Sequence, residues 1–309
     1  DKDYEATKSK PLVLDFKRQD HKSGNGTYFR EYLRQWLADW VEENEKPDGT
    51  KWDIYKDGLK IYTTIDSRMQ LHAEEAVEAH MANLQEEFFN QAKDNKNAPF
   101  VNISEAETQR IIDKAMRASS RWNIMESMDK SEDEIIASFK QKTKMTVFTW
   151  KGERDTIMTP LDSIRYYKHF LQSGLMAMEP QTGNIKAWVG GINYKYFQYD
   201  HVGQGARQVG STFKPFVYAT AIEQLNMSPC DSILDGPFMI RKGRHHVTED
   251  WEPRNSDNKY RGMVTLKKGL ANSINTISAK LIDKTGPEAV VELTHKLGVT
   301  SEIPVQPSI

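Results

Sequence analysis

Residues 211–225 predict a helix that begins at a serine. Apolar side chains recur along it at the spacing that buries one helical face: Phe213, Phe216, Val217, Ala221, Ile222 and Leu225. Gly210 precedes the serine, and Pro215 falls at the end of the first turn, where its missing N–H is tolerated. Ser211 is therefore expected at the N-terminus of a helix that packs against a hydrophobic core.

Lys214 follows Ser211 by about one helical turn, so its amine is expected to reach the serine oxygen. The positive end of the helix dipole and partial burial both disfavour a charged lysine, which lowers its pKa. A serine beside a neutral amine is an activated nucleophile for acyl transfer. The pattern alone also fits an N-cap serine followed by a solvated lysine.

A second polar motif, Ser273-Ile274-Asn275, supports the nucleophile interpretation. S-x-x-K followed by S-x-N is the pairing of motifs typical of penicillin-interacting serine enzymes. Ser273 and Asn275 would point to different sides of a regular helix, so both side chains can face one site only if the motif lies in a loop or an irregular turn. The alternative is that this motif caps a helix over residues 276–284.

The similarity extends beyond these two motifs. Four segments resemble the transpeptidase domain of class A, bifunctional penicillin-binding proteins, with a similarity to homologues from the Bacteroidetes group: residues 205–218, 251–255, 260–266 and 271–276. Residues 26–33 resemble the segment that follows the glycosyltransferase domain of that family. Residues 58–66 resemble the strand that opens its transpeptidase region.

This resemblance implies an α+β fold like that of penicillin-binding proteins and serine β-lactamases, with helices on an antiparallel sheet. Residues 1–57 are interpreted as a linker after a glycosyltransferase domain that lies outside this chain. Residues 58–309 are interpreted as a partial transpeptidase domain with a helical insertion at about 90–143, incomplete because the family's K-[ST]-G strand is expected beyond Ile309. Lys284-Thr285-Gly286 is not that strand, since Gly286 followed by Pro287 indicates one helix ending and another beginning.

Periodicity and turn residues predict the remaining elements. The predicted helices cover residues 28–41, 68–89 (with a capping box between Ser67 and Gln70), 104–117, 131–141 and 160–171, and others begin at Leu266, Ile277 and Pro287. The predicted strands cover residues 59–65, 145–150, 155–158, 175–179 and 185–189, and the last four form two hairpins.

The catalytic roles follow from the resemblance. Ser211 attacks the carbonyl of the penultimate D-alanine in a peptidoglycan stem peptide, and Lys214 takes its proton. Ser273 relays a proton to the leaving group, and Asn275 contacts the substrate amide and orients the lysine. One oxyanion donor is expected from the Ser211 backbone and the other from the strand beyond Ile309, so this fragment is expected to be weak or inactive.

Four further residues are candidates for substrate binding: Gly210, Thr212, Trp251 and Asn255. Packing is the alternative role for Trp251. A β-lactam is expected to acylate the same serine, and neither a metal nor an organic cofactor is implied. His201, His245 and His246 lack the spacing of zinc ligands.

The sequence also fits two other functions. The first is a D,D-carboxypeptidase or a serine β-lactamase-like hydrolase, in which Glu252 is the candidate carboxylate for deacylation through a water. The second is a non-catalytic module whose helical insertion binds a protein partner in the cell envelope.

Composition limits the partners. Lys and Arg number 42 against 44 Asp and Glu, a net charge of −2, so nucleic acid is not an expected partner. The single cysteine, Cys230, is expected to be a small packed side chain and allows no internal disulfide. The sequence contains no apolar run of about 18 residues. Membrane attachment, at the periplasmic face of the bacterial inner membrane, is therefore expected only through a segment N-terminal to this chain.

Overall fold

The computed structural model describes Tyr4, Lys8 and residues 24–308. The chain divides into two compact units, residues 1–206 and residues 207–309. The first 23 residues of the predicted linker, apart from Tyr4 and Lys8, lie outside the described residues. Within the described part of the chain, no helix combines the length and the apolar character needed to cross a membrane.

The first unit contains six α-helices and two antiparallel hairpins among its described residues. The helices are α1 (Thr27–Glu43), α2 (Ser67–Ala92), α3 (Glu105–Arg117), α4 (Ser120–Ser127), α5 (Glu132–Phe139) and α6 (Pro160–Lys168). Strands β1 (Thr143–Thr149) and β2 (Gly152–Met158) form one hairpin, and β3 (Leu175–Met178) and β4 (Ile185–Val189) form the other. The sequence predicted these elements except α4.

Helix α2 is capped differently from the prediction. Asp66 is the N-cap, and its carboxylate accepts hydrogen bonds from the backbone N–H groups of Arg68 and Met69. The predicted capping box is wrong, because the Gln70 side chain is buried and bonds the backbone of Trp188 in β4. Residues 59–65, predicted as a strand, form no strand ladder.

The second unit packs its helices around α7 (Lys214–Leu225). After α7 come β5 (Ser232–Asp235), β6 (Gly262–Thr265), α8 (Leu266–Ala271), α9 (Asn275–Thr285) and α10 (Pro287–Lys296). Strands β5 and β6 pair antiparallel, with Asp235 opposite Gly262. This pairing was not predicted. The described strands therefore form three separate two-stranded sheets rather than one antiparallel sheet, although the α+β class is as predicted.

The core of the second unit contains only some of the side chains predicted to form the buried face of helix α7. It is built from Phe213, Val217, Tyr218, Ala221, Ile233, Val264, Leu266, Ile274, Ile277, Leu281, Ile282 and Val290. Ile222 and Leu225, predicted to be buried, are 42% and 38% exposed. Cys230 was also predicted to be packed and is exposed. Gly286 ends α9 and Pro287 begins α10, which confirms that Lys284-Thr285-Gly286 marks a helix boundary.

Candidate active site

Ser211 lies in a turn immediately before helix α7. Residues Gly210–Phe213 form a single 3₁₀ turn, and Lys214 is the first residue of the α-helix. Gly210 has φ of 55°, a left-handed conformation that glycine adopts without the steric cost of a Cβ. Ser211 is exposed and Lys214 is 9% exposed. The sequence therefore delivers an accessible hydroxyl and a buried amine at the start of one helix.

The amine of Lys214 is held by three oxygen atoms from the second motif. Its Nζ donates to the Ser273 backbone carbonyl at 2.7 Å, to Ser273 Oγ at 2.9 Å and to Asn275 Oδ1 at 2.6 Å. We call this arrangement of Lys214, Ser273 and Asn275 the lysine clasp. Both motifs that the sequence indicated thus meet in space.

An irregular turn allows both members of the second motif to face Lys214. Ser273 has φ of 52° and lies between the end of α8 and the start of α9. Asn275 begins α9 and donates through Nδ2 to the carbonyl of Arg254 at 2.8 Å. Because Nδ2 is committed to that carbonyl, the other end of the amide, Oδ1, must face Lys214. The polar side chains of the motif do not cap α9, because the N-cap residue is Ile274, between them, and no side-chain cap bond is made there.

Burial lowers the pKa of Lys214 by disfavouring its charged form. An ammonium group has three N–H donors, and the lysine clasp accepts all three. Within residues 24–308, no hydrogen bond joins Lys214 to the Ser211 hydroxyl. To take a proton from Ser211, the amine must therefore be neutral and aim its lone pair at that hydroxyl.

The clasp opens on a cleft of about 360 Å³. Its wall includes Gly210, Ser211, Lys214, Val217, Trp251, Glu252, Pro253, Arg254, Asn275, Ser278, Ala279, Ile282, Pro307 and Ser308. Glu252 and Arg254 form an ion pair at 3.3 Å on this wall. A serine, an amine and a charged pair thus share one concave surface, which is typical of a catalytic site.

The candidate substrate-binding residues separate into two groups. Gly210 and Trp251 line the cleft, whereas Thr212 lies outside its wall and donates its hydroxyl to the Val209 carbonyl at 2.6 Å. Asn255 is 5% exposed and does not line the cleft. Asn255 thus lies away from the cleft wall, and its contact with substrate stays a prediction.

Asn255 instead belongs to a buried network that sequence reasoning missed. Its amide donates to Asp235, which is 1% exposed at the end of β5. Thr276, the residue after Asn275, donates its hydroxyl to the same carboxylate. These three residues are 20 to 41 positions apart in sequence, so no local pattern indicates their contact.

His245 and His246 lie beside carboxylates where α9 ends and α10 begins. His245 Nε2 lies 3.1 Å from Asp283 Oδ1, and His246 Nε2 lies 3.2 Å from Glu288 Oε1. Among the described residues, no three histidine, cysteine or acidic side chains are grouped as metal ligands.

Two family models match most of the chain. The penicillin-binding protein middle domain matches residues 95–171, and the penicillin-binding protein transpeptidase domain matches residues 173–307. The second range contains Ser211 and the whole lysine clasp. The first range overlaps the predicted helical insertion.

The chain is similar to penicillin-binding proteins 1A from several bacteria. That of Aquifex aeolicus is 28% identical over 96% of this chain and 39% of the relative, and that of Rickettsia bellii is 26% identical over 94% and 37%. The chain thus spans about two-fifths of the length of these relatives. The similarity to Bacteroidetes homologues stays a prediction.

A solved structure has the same fold. The crystal structure of penicillin-binding protein 1A from Haemophilus influenzae superposes with a TM-score of 0.55 over 96% of this chain and 44% of that chain. The two sequences are 19% identical over the match, so the likeness concerns the fold alone.

Proposed function

Because this chain belongs to the class A penicillin-binding proteins and carries their middle and transpeptidase domains, we propose that its cleft catalyses serine D,D-transpeptidation. The lysine clasp carries the proposal, since it buries the amine of Lys214 in the same cleft as the Ser211 hydroxyl. A buried amine of lowered pKa beside an exposed serine is the arrangement that nucleophilic acyl transfer requires.

In the acylation step, Ser211 Oγ attacks the carbonyl of the penultimate D-alanine of a stem peptide. Neutral Lys214 takes the hydroxyl proton as the new ester bond forms. The proton then passes through Ser273 Oγ, 2.9 Å from Nζ, to the nitrogen of the departing D-alanine. The peptide bond breaks, and Lys214 returns to its neutral form.

In the second step, an amine of a neighbouring stem peptide attacks the acyl-enzyme. Lys214 accepts a proton from that amine and returns one to Ser211 Oγ, so the free enzyme is restored. Asn275 keeps Lys214 in place through both steps, because its own amide is anchored on the Arg254 carbonyl. The products are a crosslinked peptide and a regenerated serine.

Stem peptides and β-lactams are the proposed ligands of this cleft, the latter by forming a stable ester with Ser211. In the whole protein, we place this activity beside glycosyltransfer at the periplasmic face of the inner membrane, with cell-envelope proteins as further partners. This assignment rests on the class A relatives, of which the chain covers about two-fifths.

The second candidate function is hydrolysis of the same acyl-enzyme, because Glu252 lines the cleft. A carboxylate that activates a water shortens the lifetime of an acyl-enzyme. Glu252 is paired with Arg254, which competes for its oxygens and favours the transpeptidase.

Intact-mass measurements on the full-length protein test these functions. After addition of benzylpenicillin, a long-lived adduct that is lost in Ser211→Ala supports the transpeptidase. A transient adduct that becomes long-lived in Glu252→Gln supports the hydrolase. A folded protein that forms no adduct rejects both enzymes and leaves the non-catalytic module.

A further inference from the structure

The carboxylate of Asp235 is the centre of a buried network behind the cleft. Its side chain is 0% exposed at the end of β5. Asp235 Oδ1 accepts from Asn255 Nδ2 at 2.8 Å and from the Thr276 hydroxyl at 2.6 Å. Asp235 Oδ2 accepts from the backbone N–H of Arg261 at 3.0 Å and lies 3.5 Å from its guanidinium. The carboxylate therefore ties three separate segments together.

Asn255 also completes the start of helix α9. Backbone N–H groups in the first turn of a helix have no acceptor within the helix, and the N-cap residue here, Ile274, offers no side-chain acceptor. Asn255 Oδ1 accepts from the backbone N–H of Thr276 at 3.3 Å. Its Nδ2 is shared between Asp235 and the carbonyl of Lys259, at 2.8 Å each. The orientation of the Asn255 amide is thus fixed by bonds at both ends.

Two adjacent hydrogen bonds join residues 254–255 to residues 275–276. The outer link is the hydrogen bond from Asn275 Nδ2 to the Arg254 carbonyl, and Asn275 Oδ1 holds Lys214 from there. The inner link is the hydrogen bond from the Thr276 backbone to Asn255, one residue further along each segment. Because neighbouring residues share a peptide plane, a shift of the inner link moves the outer one.

We propose that Asp235 is a positioning residue, which acts through Asn255 and Thr276 to hold Asn275 against Lys214. The proposal rests on the function proposed above and names a residue of the same site that neither motif contains. Asp235 touches neither Lys214 nor the cleft wall, so its effect on the reaction must pass through the two links.

The network also keeps Asp235 charged. Burial raises its pKa, but the hydrogen bonds from Thr276, Asn255 and Arg261 outweigh burial and hold the pKa below the ordinary value of 3.8. An ionised carboxylate accepts stronger hydrogen bonds than a neutral group. The anchor therefore persists across the pH range in which Lys214 titrates.

The test compares four variants of the full-length protein. Thr276→Val keeps the shape of the side chain and removes its hydrogen bond to Asp235, whereas Thr276→Ser keeps that bond. Asp235→Asn removes the charge. Thr294→Val is the matched control, because Thr294 is also 0% exposed and its hydroxyl bonds only a carbonyl of its own helix, that of Val290.

The readout is the second-order rate of acylation by a fluorescent penicillin, measured between about pH 6 and about pH 10, together with the melting temperature. Thr276→Val and Asp235→Asn are expected to slow acylation about 10-fold to 100-fold. Without the Asn275 acceptor, the ammonium form of Lys214 is less favoured, so the acid limb of the rate profile moves to lower pH. Glu252 and Arg254 are the other charged groups among the described residues of the cleft wall, and no variant changes them.

Thr276→Ser is expected to keep the wild-type rate within a few-fold, and Thr294→Val to lower the melting temperature without moving the pH profile. Folded Thr276→Val protein with the wild-type rate and profile would overturn the positioning role, even if Asp235→Asn does not fold. In that case a Ser211 adduct on the wild-type protein leaves the transpeptidase assignment standing. Absence of the adduct on the wild type overturns both.

Discussion

Lys214 is subject to two opposing effects in its clasp. Burial disfavours the ammonium form, whereas three acceptor oxygens favour it. The net result is a lowered pKa, so the neutral amine that the proposed acylation requires is populated at lower pH than in a solvated lysine. The balance depends on the acceptors being uncharged, which makes Asn275 the residue at which it is most easily upset.

Replacing Asn275 by aspartate should raise the pKa of Lys214, because a carboxylate would then stand where the amide oxygen lies 2.6 Å away. A rise of about one unit leaves about tenfold less neutral amine at pH values below the pKa. We expect acylation by a penicillin to fall at neutral pH and its acid limb to move to higher pH. The variant also loses the bond to the Arg254 carbonyl, so its maximal rate should fall too.

Asn272→Asp provides the control. Asn272 is exposed three residues earlier and bonds the Lys268 carbonyl rather than Lys214. The same charge is thus added nearby without contact with the amine. If both variants titrate as the wild type does, Lys214 is not the proton acceptor.

Ser273 carries backbone strain at the site. Its φ of 52° is a left-handed conformation that costs a residue with a Cβ about 1 kcal/mol relative to glycine. Ser273→Gly and Ser273→Ala both remove the hydroxyl that bonds Lys214, so both should slow acylation. We expect the glycine variant to be the more stable of the two by about 1 kcal/mol in urea unfolding.

Ser138→Gly and Ser138→Ala are the control pair. Ser138 lies in helix α5, where glycine is about 1 kcal/mol less favourable than alanine, so here the alanine variant should be the more stable. Equal stability of the two Ser273 variants would show that the turn is not strained.

At the scale of elements, helix α2 is joined to strand β4 by a side chain that substitutes for a neighbouring strand. Gln70 is 2% exposed, accepts from the Trp188 backbone N–H at 2.7 Å and donates to its carbonyl at 2.9 Å. These are the two bonds that a paired strand residue would make. Asp66 extends the contact by donating its backbone N–H to the Lys186 carbonyl at 3.0 Å.

Gln70→Met should lower the free energy of unfolding by about 2 to 4 kcal/mol, because the apolar side chain leaves two buried backbone groups without partners. Gln91→Met is the control on the same helix, where the side chain is exposed. Urea unfolding followed by circular dichroism measures both. A Gln70→Met protein as stable as the control would mean that water replaces the amide.

Local sequence patterns predicted the elements whose hydrogen bonds join residues near one another in the sequence. Hairpin β1–β2 follows from a turn around Gly152. The helices predicted to begin at Ser104 and Ser131 are α3 and α5, and these two serines are their N-cap residues. The pairing of β5 with β6 was missed because 26 residues separate these four-residue strands. The predicted burial of Ile222 was wrong, because helical periodicity places a residue on one face of the helix without showing whether other side chains cover that face.

The candidate site also contains residues that local patterns predict and residues that only the folded chain brings together. Ser211 and Lys214 are within one turn, and Ser273 and Asn275 are two residues apart, so both motifs could be recognised from spacing. That the second motif would clasp the lysine was implied only by the resemblance. Asp235 could not be found at all, since its partners come from distant segments and an aspartate before Gly236-Pro237 has the pattern of an ordinary turn.

At the scale of the whole molecule, charge contributes unevenly to stability. Net charge is close to zero, and ion pairs such as Arg117–Glu132 and Lys130–Glu134 join side chains that are about half exposed. Such pairs contribute little, because water and salt screen them. Asp235 differs, since its fully buried carboxylate receives hydrogen bonds from three other residues. Acid sensitivity of the second unit should therefore depend on this one group more than on the surface pairs.

Asp235→Asn tests that dependence through the pH profile of stability. The folded-state pKa of Asp235 lies below 3.8, so its ionised form adds stability that is fully present above that value and is lost as pH falls through the folded pKa. We expect the variant to be about 2 to 4 kcal/mol less stable than the wild type near neutral pH, and this deficit to shrink as pH falls toward about 3.

Urea unfolding with hydrogen exchange read on peptides from residues 207–308 confines the measurement to the second unit. Asp250→Asn, which alters an exposed carboxylate paired with Arg241, should show a much smaller deficit at every pH. A deficit in Asp235→Asn that stays constant with pH would instead assign the effect to altered packing, because only loss of the charge can make the two proteins converge in acid.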